Sequence, residues 1–145
     1  MSMIPSFFGG GVDQSAQTVE IEGLVANENL LVGHIVRTIS DGVDGIIAKA
    51  DNSTNHVIGV CTSGSTAGGE IEIAQSGLTS VLMDSTPASS DNGKIVFLNG
   101  NGQGTLTAPT ASGRYVIKVG FVVGANGSAN PVDMLLRIET VVRLG

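Results

Sequence analysis

The pentapeptide Glu70-Ile71-Glu72-Ile73-Ala74 alternates charged and aliphatic side chains with a period of two, and this restricts what the chain can fold into. Successive side chains of a strand point to opposite faces, so such a segment buries one face and wets the other. A helical period of 3.6 would scatter the same residues around the axis. The pentapeptide lies inside His56–Asp84, which reads as three short strands. The first is the apolar run Val57–Cys61, followed by a small-residue loop, Thr62–Gly69. The second is the alternating segment. Gln75-Ser76-Gly77 is then expected to turn the chain, so that Leu78–Met83 runs back.

The same grammar extends in both directions. Thr18–Glu22 alternates cleanly and ends at Gly23. The run from Leu30 to Ile39 is expected to be a bent strand or strand pair with Gly33 at the bend. Asp41-Gly42 and Asp44-Gly45 are tight-turn signals, and a strand from Val43 to Ala50 follows. Downstream, Gly93–Leu98, Gly104–Thr107 and Arg114–Val123 are strands. They are separated by a Ser/Pro/Asn loop, the hairpin signal Asn99-Gly100-Asn101-Gly102, and a loop from Pro109 to Gly113. The closing segment Asp133–Val142 fits either period, and its β-branched tail favours a strand. These spacings predict an all-β fold. It would be a single compact β-barrel or sandwich of roughly nine to eleven short, mostly antiparallel strands over residues 19–145.

An internal echo accompanies the pattern. Gly33-His34-Ile35-Val36 is matched sixty residues on by Gly93-Lys94-Ile95-Val96, and Ile58-Gly59-Val60 is matched by Val119-Gly120-Phe121. Such a repeat predicts two similar lobes closing one barrel.

Residues 1–18 stand apart. Ile4, Phe7 and Phe8 are apolar without a period, Pro5 breaks any helix, and Gly9-Gly10-Gly11 makes a joint. This is an extended or flexible N-terminal arm, and an ordered apolar tip on it would be a contact element. Ile4, Pro5, Phe7 and Phe8 are its candidate interface residues.

The residues that usually carry chemistry are present in the wrong patterns. Gly-x-Ser-x-Gly does not occur. The loop Ser63–Gly69 lacks the Gly-Lys-Ser/Thr ending of a phosphate cradle, and Glu70 beside it repels phosphate. Asp41, Asp44 and Asp51 match no calcium loop and read as turn formers. His34 and His56 are isolated among aliphatics. Cys61, the one cysteine, sits in an apolar run as a small buried hydrophobe. Lys49 in Ala48-Lys49-Ala50-Asp51 has the look of a carrier-domain lysine without the specific flank. Catalytic, cofactor-binding and metal-binding residues are therefore expected to be none.

Charged residues make up only 14% of the chain and aromatics 3%. A usual charged fraction is about 25%, so part of the surface is expected to be covered by other chains, and scarce aromatics disfavour a small-molecule pocket. Residues 1–100 hold eleven acidic and three basic residues, whereas residues 101–145 carry a net charge of +2. With a net charge of −6 and no basic run, nucleic-acid binding is not expected. The first basic residue is Arg37, which gives no positive start to a secretory signal, and no apolar run reaches the roughly 18–20 residues of a membrane span. The expectation is synthesis in the cytoplasm and no membrane partner.

The order of motifs along residues 30–142 carries a resemblance. Gly33-His34-Ile35-Val36 leads to Ile47-Ala48-Lys49-Ala50-Asp51 and Val57-Ile58-Gly59-Val60. Then come Gly69-Glu70-Ile71-Glu72-Ile73, Gly77 and Gly93–Leu98, followed by Gly120-Phe121-Val122 and the closing strand from Val132 to Ile138. This order resembles the capsid decoration, or cement, proteins of tailed bacteriophages. The resemblance implies a non-enzymatic structural protein with a β-barrel-like fold, commonly a homotrimer. It would sit on the outer capsid surface of the virion, where major capsid protein subunits meet, and clamp them against internal DNA pressure. Similar Gly/Val-rich modules occur in trimeric tail fibres and spikes, so host-surface recognition is the alternative, although sugar stacking would have only Tyr115 and four phenylalanines to use.

Overall fold

The computed structural model describes residues 19–39, 46–54 and 56–145, and the arm therefore lies outside the described residues. The fold is all-β, with nine strands and one 3-10 turn at Ser89–Asp91 among the described residues. The strands are β1 (Val19–Ala26), β2 (Ile35–Thr38), β3 (Ile46–Lys49), β4 (Val57–Cys61) and β5 (Glu70–Val81). They continue with β6 (Ile95–Leu98), β7 (Gly104–Thr105), β8 (Tyr115–Val122) and β9 (Val132–Arg143). The sheet order is β1-β3-β2-β4-β5-β9-β8-β6-β7, and a further β1–β5 pairing closes the first five strands into a barrel. Closure removes the free edges that an open sheet would leave.

The echo in the sequence is an echo of hydrogen-bond register. Between β2 and β4, Ile35 faces Val60, Val36 faces Gly59 and Arg37 faces Val57, with Ile58 left over as a bulge. Between β6 and β8, Ile95 faces Phe121, Val96 faces Gly120 and Phe97 faces Lys118, with Val119 left over. Val60–Ala74 and Cys61–Ile73 across β4–β5 recur as Phe121–Leu135 and Val122–Met134 across β8–β9. The turns before the second strand of each lobe agree as well. Gly33 donates its N–H to the Cys61 carbonyl at 2.9 Å, and Gly93 donates to the Val122 carbonyl at 2.7 Å. Both glycines have φ near +90°, a region that a Cβ disfavours.

The two lobes do not close one barrel together. The first closes through β1–β5, and the parallel pairing of Ala26 with Ile47 joins β1 to β3. The second is drawn together by a parallel bridge from Met83, just past β5, to Gly104 in β7. The strand end that Ala26 supplies to lobe one is thus supplied to lobe two by the continuation of β5.

That role explains a departure from the sequence reading. Gln75-Ser76-Gly77 does not turn the chain back, and β5 runs through it as one 12-residue strand. Up to Ser76 the strand pairs with β1, and from Ser76 onward it pairs with β9. Gly77, at φ 91°, absorbs the change of partner without reversing direction. The segment from Leu30 to Ile39 is likewise a bridge at Leu30, a turn, and then β2. The last segment is a strand, β9, as its β-branched tail suggests.

Two buried clusters follow from the lobes. Val36, Cys61, Ile71 and Ile73 line lobe one together with Ala26, Leu30 and Ile47. Their counterparts Val96, Val122, Val132 and Met134 line lobe two. Each large aliphatic buried in this way contributes about 1.5–3 kcal/mol. Ile35, Val60 and Ala74 point out of lobe one, yet are fully buried, because they belong to the cluster of lobe two. Backbone bonds lock this joint: Ile35 donates to Gly102 at 2.7 Å, and Leu82 donates to Gly33 at 2.8 Å.

Candidate functional site

The side chains that could carry chemistry are mostly employed in holding turns. His34 is 6% exposed, and its Nδ1 accepts the Leu31 N–H at 2.9 Å across the β1–β2 turn. Burial, helped by the nearby Lys49 charge and opposed by Glu28, pulls its pKa below the ordinary 6.5. His56 is exposed, just before β4. Cys61 is fully buried, and burial pushes its thiol up to about 12, far from a reactive thiolate. Lys49 is engaged with Glu28: its backbone N–H donates to Glu28 Oε2 at 3.0 Å, and its ammonium lies 3.9 Å from Oε1.

Asp51 forms an Asx turn, accepting the Ser53 N–H at 2.7 Å and the Ser53 hydroxyl. Asp41 and Asp44 lie outside the described residues, as do the arm residues Ile4, Pro5, Phe7 and Phe8. Among the described residues no group of three or more His, Cys, Asp or Glu side chains is placed to hold a metal ion. The glycine-rich loop between β4 and β5 is tied down rather than open. Ser65 exchanges backbone bonds with Leu30, and Ser63 Oγ accepts the Glu72 N–H at 2.9 Å.

A cleft of about 530 Å³ lies between the Asp51–Asn52 turn and the Pro109–Arg114 loop. Asn52 is buried at its base, where its Oδ1 accepts from the Arg114 guanidinium at 3.3 Å and its carbonyl accepts the Tyr115 N–H. These bonds tie the two loops together across the lobe boundary and make the cleft a polar seam.

A different surface stands out on the outer face of lobe two. Ile95, Phe121, Leu135 and Leu78 lie side by side on β6, β8, β9 and β5, each facing the next across the sheet. Leu135 is 39% exposed and Leu78 42%, while Ile95 and Phe121 are partly exposed. Cross-strand neighbours on one face sit about 5 Å apart, so these four side chains form a continuous apolar row.

Charge frames the row on both sides. On β9, Asp133 and Arg137 alternate outward with Leu135, while Met134 and Leu136 point inward and are buried. Ser80 Oγ donates to Asp133 Oδ1 at 2.7 Å. Next to Arg137, Lys118 and Glu139 form an ion pair at 2.8 Å, which holds the Glu139 carboxyl below its ordinary range. A groove of about 160 Å³ runs between Phe121 and these charged residues. An apolar centre with a charged rim is the anatomy of a protein contact.

Further apolar side chains are exposed elsewhere: Leu31 and Val32 on the β1–β2 turn, Val123 after β8, and Val141 and Val142 near the end of β9. The row on lobe two was not anticipated from the sequence. Its signal was there in Met134-Leu135-Leu136, three consecutive apolar residues in a strand, which leave an apolar side chain on each face. No helix among the described residues is long and apolar enough to cross a membrane. No protein-family model matches the chain, and no curated protein matches it significantly.

Proposed function

We propose that this protein is a structural, non-enzymatic virion component that binds the outer surface of a bacteriophage capsid and cements contacts between major capsid protein subunits. The observation that carries the reading is the order of motifs along residues 30–142, and a bilobed scaffold with its titratable side chains tied into turns suits a mechanical task. Each bound copy would add buried interface across a seam. Many such copies acting together raise the cost of separating capsid subunits by avidity rather than by one tight bond. The homotrimer is the assembled state that the resemblance implies. The arm supplies one contact through Ile4, Pro5, Phe7 and Phe8.

The test is decoration of purified capsids, followed by thermal or osmotic challenge. Full-length protein is expected to bind near the stoichiometry of the capsid subunit and to raise the temperature of capsid disruption. A chain beginning at Thr18 is expected to lose most of that binding. A protein present in only a few copies per particle, at the tail, would overturn the reading. Undiminished decoration by the shortened chain would remove the arm from it.

A further inference from the structure

We infer that the outer apolar row of lobe two, Ile95–Phe121–Leu135–Leu78, is a docking surface for a second copy of this chain, related to the first by a two-fold axis. The starting point is the internal repeat. The residues of lobe one in register with Ile95, Phe121 and Leu135 are Ile35, Val60 and Ala74. In lobe one this row is fully buried, because lobe two covers it. The chain has no third lobe among the described residues to cover the equivalent row of lobe two. Yet that row is larger, with Phe121 standing where lobe one has Val60, and Leu135 standing where it has Ala74. Bulky apolar side chains left partly exposed on an outer sheet face mark an association surface.

Charge selects the occupant. Asp133 and Arg137 lie two residues to either side of Leu135 on the same outward face of β9. When two copies meet face to face with their β9 strands antiparallel and Leu135 set against Leu135, each Arg137 comes opposite Asp133 of the other copy. The surface is thus complementary to itself, as an isologous contact requires. A parallel approach would instead set like charges together. The apolar row would form the dry centre, and the two Arg–Asp pairs, with Lys118 and Glu139 nearby, would form the rim. Four side chains per copy make a small patch, so the contact belongs to the weak, reversible class of interfaces.

This contact does not rest on the capsid reading, and it is separable from a three-fold assembly. The experiment is sedimentation equilibrium of the full chain over a concentration series, with far-UV circular dichroism to check folding. A two-fold dimer of the 14.7 kDa chain is expected. Leu135→Glu, Asp133→Arg and Arg137→Asp should each weaken it by about tenfold or more. An equimolar mixture of D133R and R137D should regain the dimer, because each facing pair is then again of opposite sign. Should D133R fold poorly through loss of its Ser80 bond, L135E and R137D still decide the matter. A chain that stays monomeric up to millimolar concentration overturns the inference, as does a trimer or other assembly indifferent to L135E and R137D. Loss of capsid binding by L135E in a monomeric chain would also overturn it, by assigning the row to the capsid.

Discussion

Gly120 lies so close to Leu135 on the neighbouring strand that a Cβ at position 120 would strike the Leu135 carbonyl oxygen. Gly59 stands in the same relation to the carbonyl of Ala74. The two glycines occupy one structural position, used twice, beside the bulges at Ile58 and Val119. In both places the atom in the way is backbone, which cannot swing aside as a flexible side chain would.

Gly120→Ala and Gly59→Ala are therefore expected to destabilise the fold by about 2–4 kcal/mol each, the range of steric lesions in a packed core. Gly100 has open space around its Cβ position, and Gly100→Ala should change stability by less than about 0.5 kcal/mol. Urea denaturation midpoints check all three. Equal midpoints for G120A and G100A would show that the close approach is not tight.

His34 makes stability depend on pH. In the folded chain it is neutral, with Nδ1 accepting from Leu31, and its pKa lies below 6.5, mainly through burial. The unfolded chain therefore binds a proton there before the folded chain does, so stability falls as pH drops below about 6.5 and this contribution levels off below the folded pKa. Asp51 has the usual carboxylate sign: burial pushes its pKa up, but the Ser53 hydrogen bonds and the Arg37 and Arg114 charges together bring it below the ordinary value, so its contribution is lost only at more acid pH, below about 4. Unfolding free energy measured from pH 4 to 8 should slope downward toward acid, and His34→Gln should flatten the slope that sets in below about pH 6.5. An unchanged slope in H34Q would assign it to another group.

Cys61 should be inert until the fold opens. Its sulfur is buried in lobe one, and its pKa of about 12 leaves almost no thiolate at neutral pH. A chromogenic disulfide reagent is expected to label no thiol in native protein and one in urea. Rapid labelling of native protein would mean that lobe one opens locally.

The lobes should unfold together. Ile73 and Met134 hold equivalent buried positions, and truncating either to Ala should cost about 2–5 kcal/mol. Because β5 is shared and Ile35, Val60 and Ala74 sit in the core of lobe two, calorimetry should show one transition in wild type, I73A and M134A alike. Two resolved transitions would mean that the joint is weaker than its burial suggests.

How much of this was legible beforehand depends on the range of the interaction that decides it. Alternation at Glu70–Ala74, the β-branched tail of β9 and the Asn/Gly turn at residues 99–102 are local signals, read from a few neighbours, and they sufficed for an all-β chain of short strands. The two glycine echoes also belong to the sequence, because a backbone crossing demands the same residue wherever it recurs.

Only the tertiary structure decided what those pieces were for. Ser76 and Gly77 carry the local chemistry of a turn, yet the strand runs on, since β9 offers a pairing edge where β1 leaves off. Ile35 and Ile95 are the same residue in the same register, yet one is buried by a neighbouring lobe and the other is partly exposed. Local pattern specifies which face of a strand is apolar. Which of those faces meets protein and which meets water depends on contacts between residues far apart in the chain, and these exist only after it has closed.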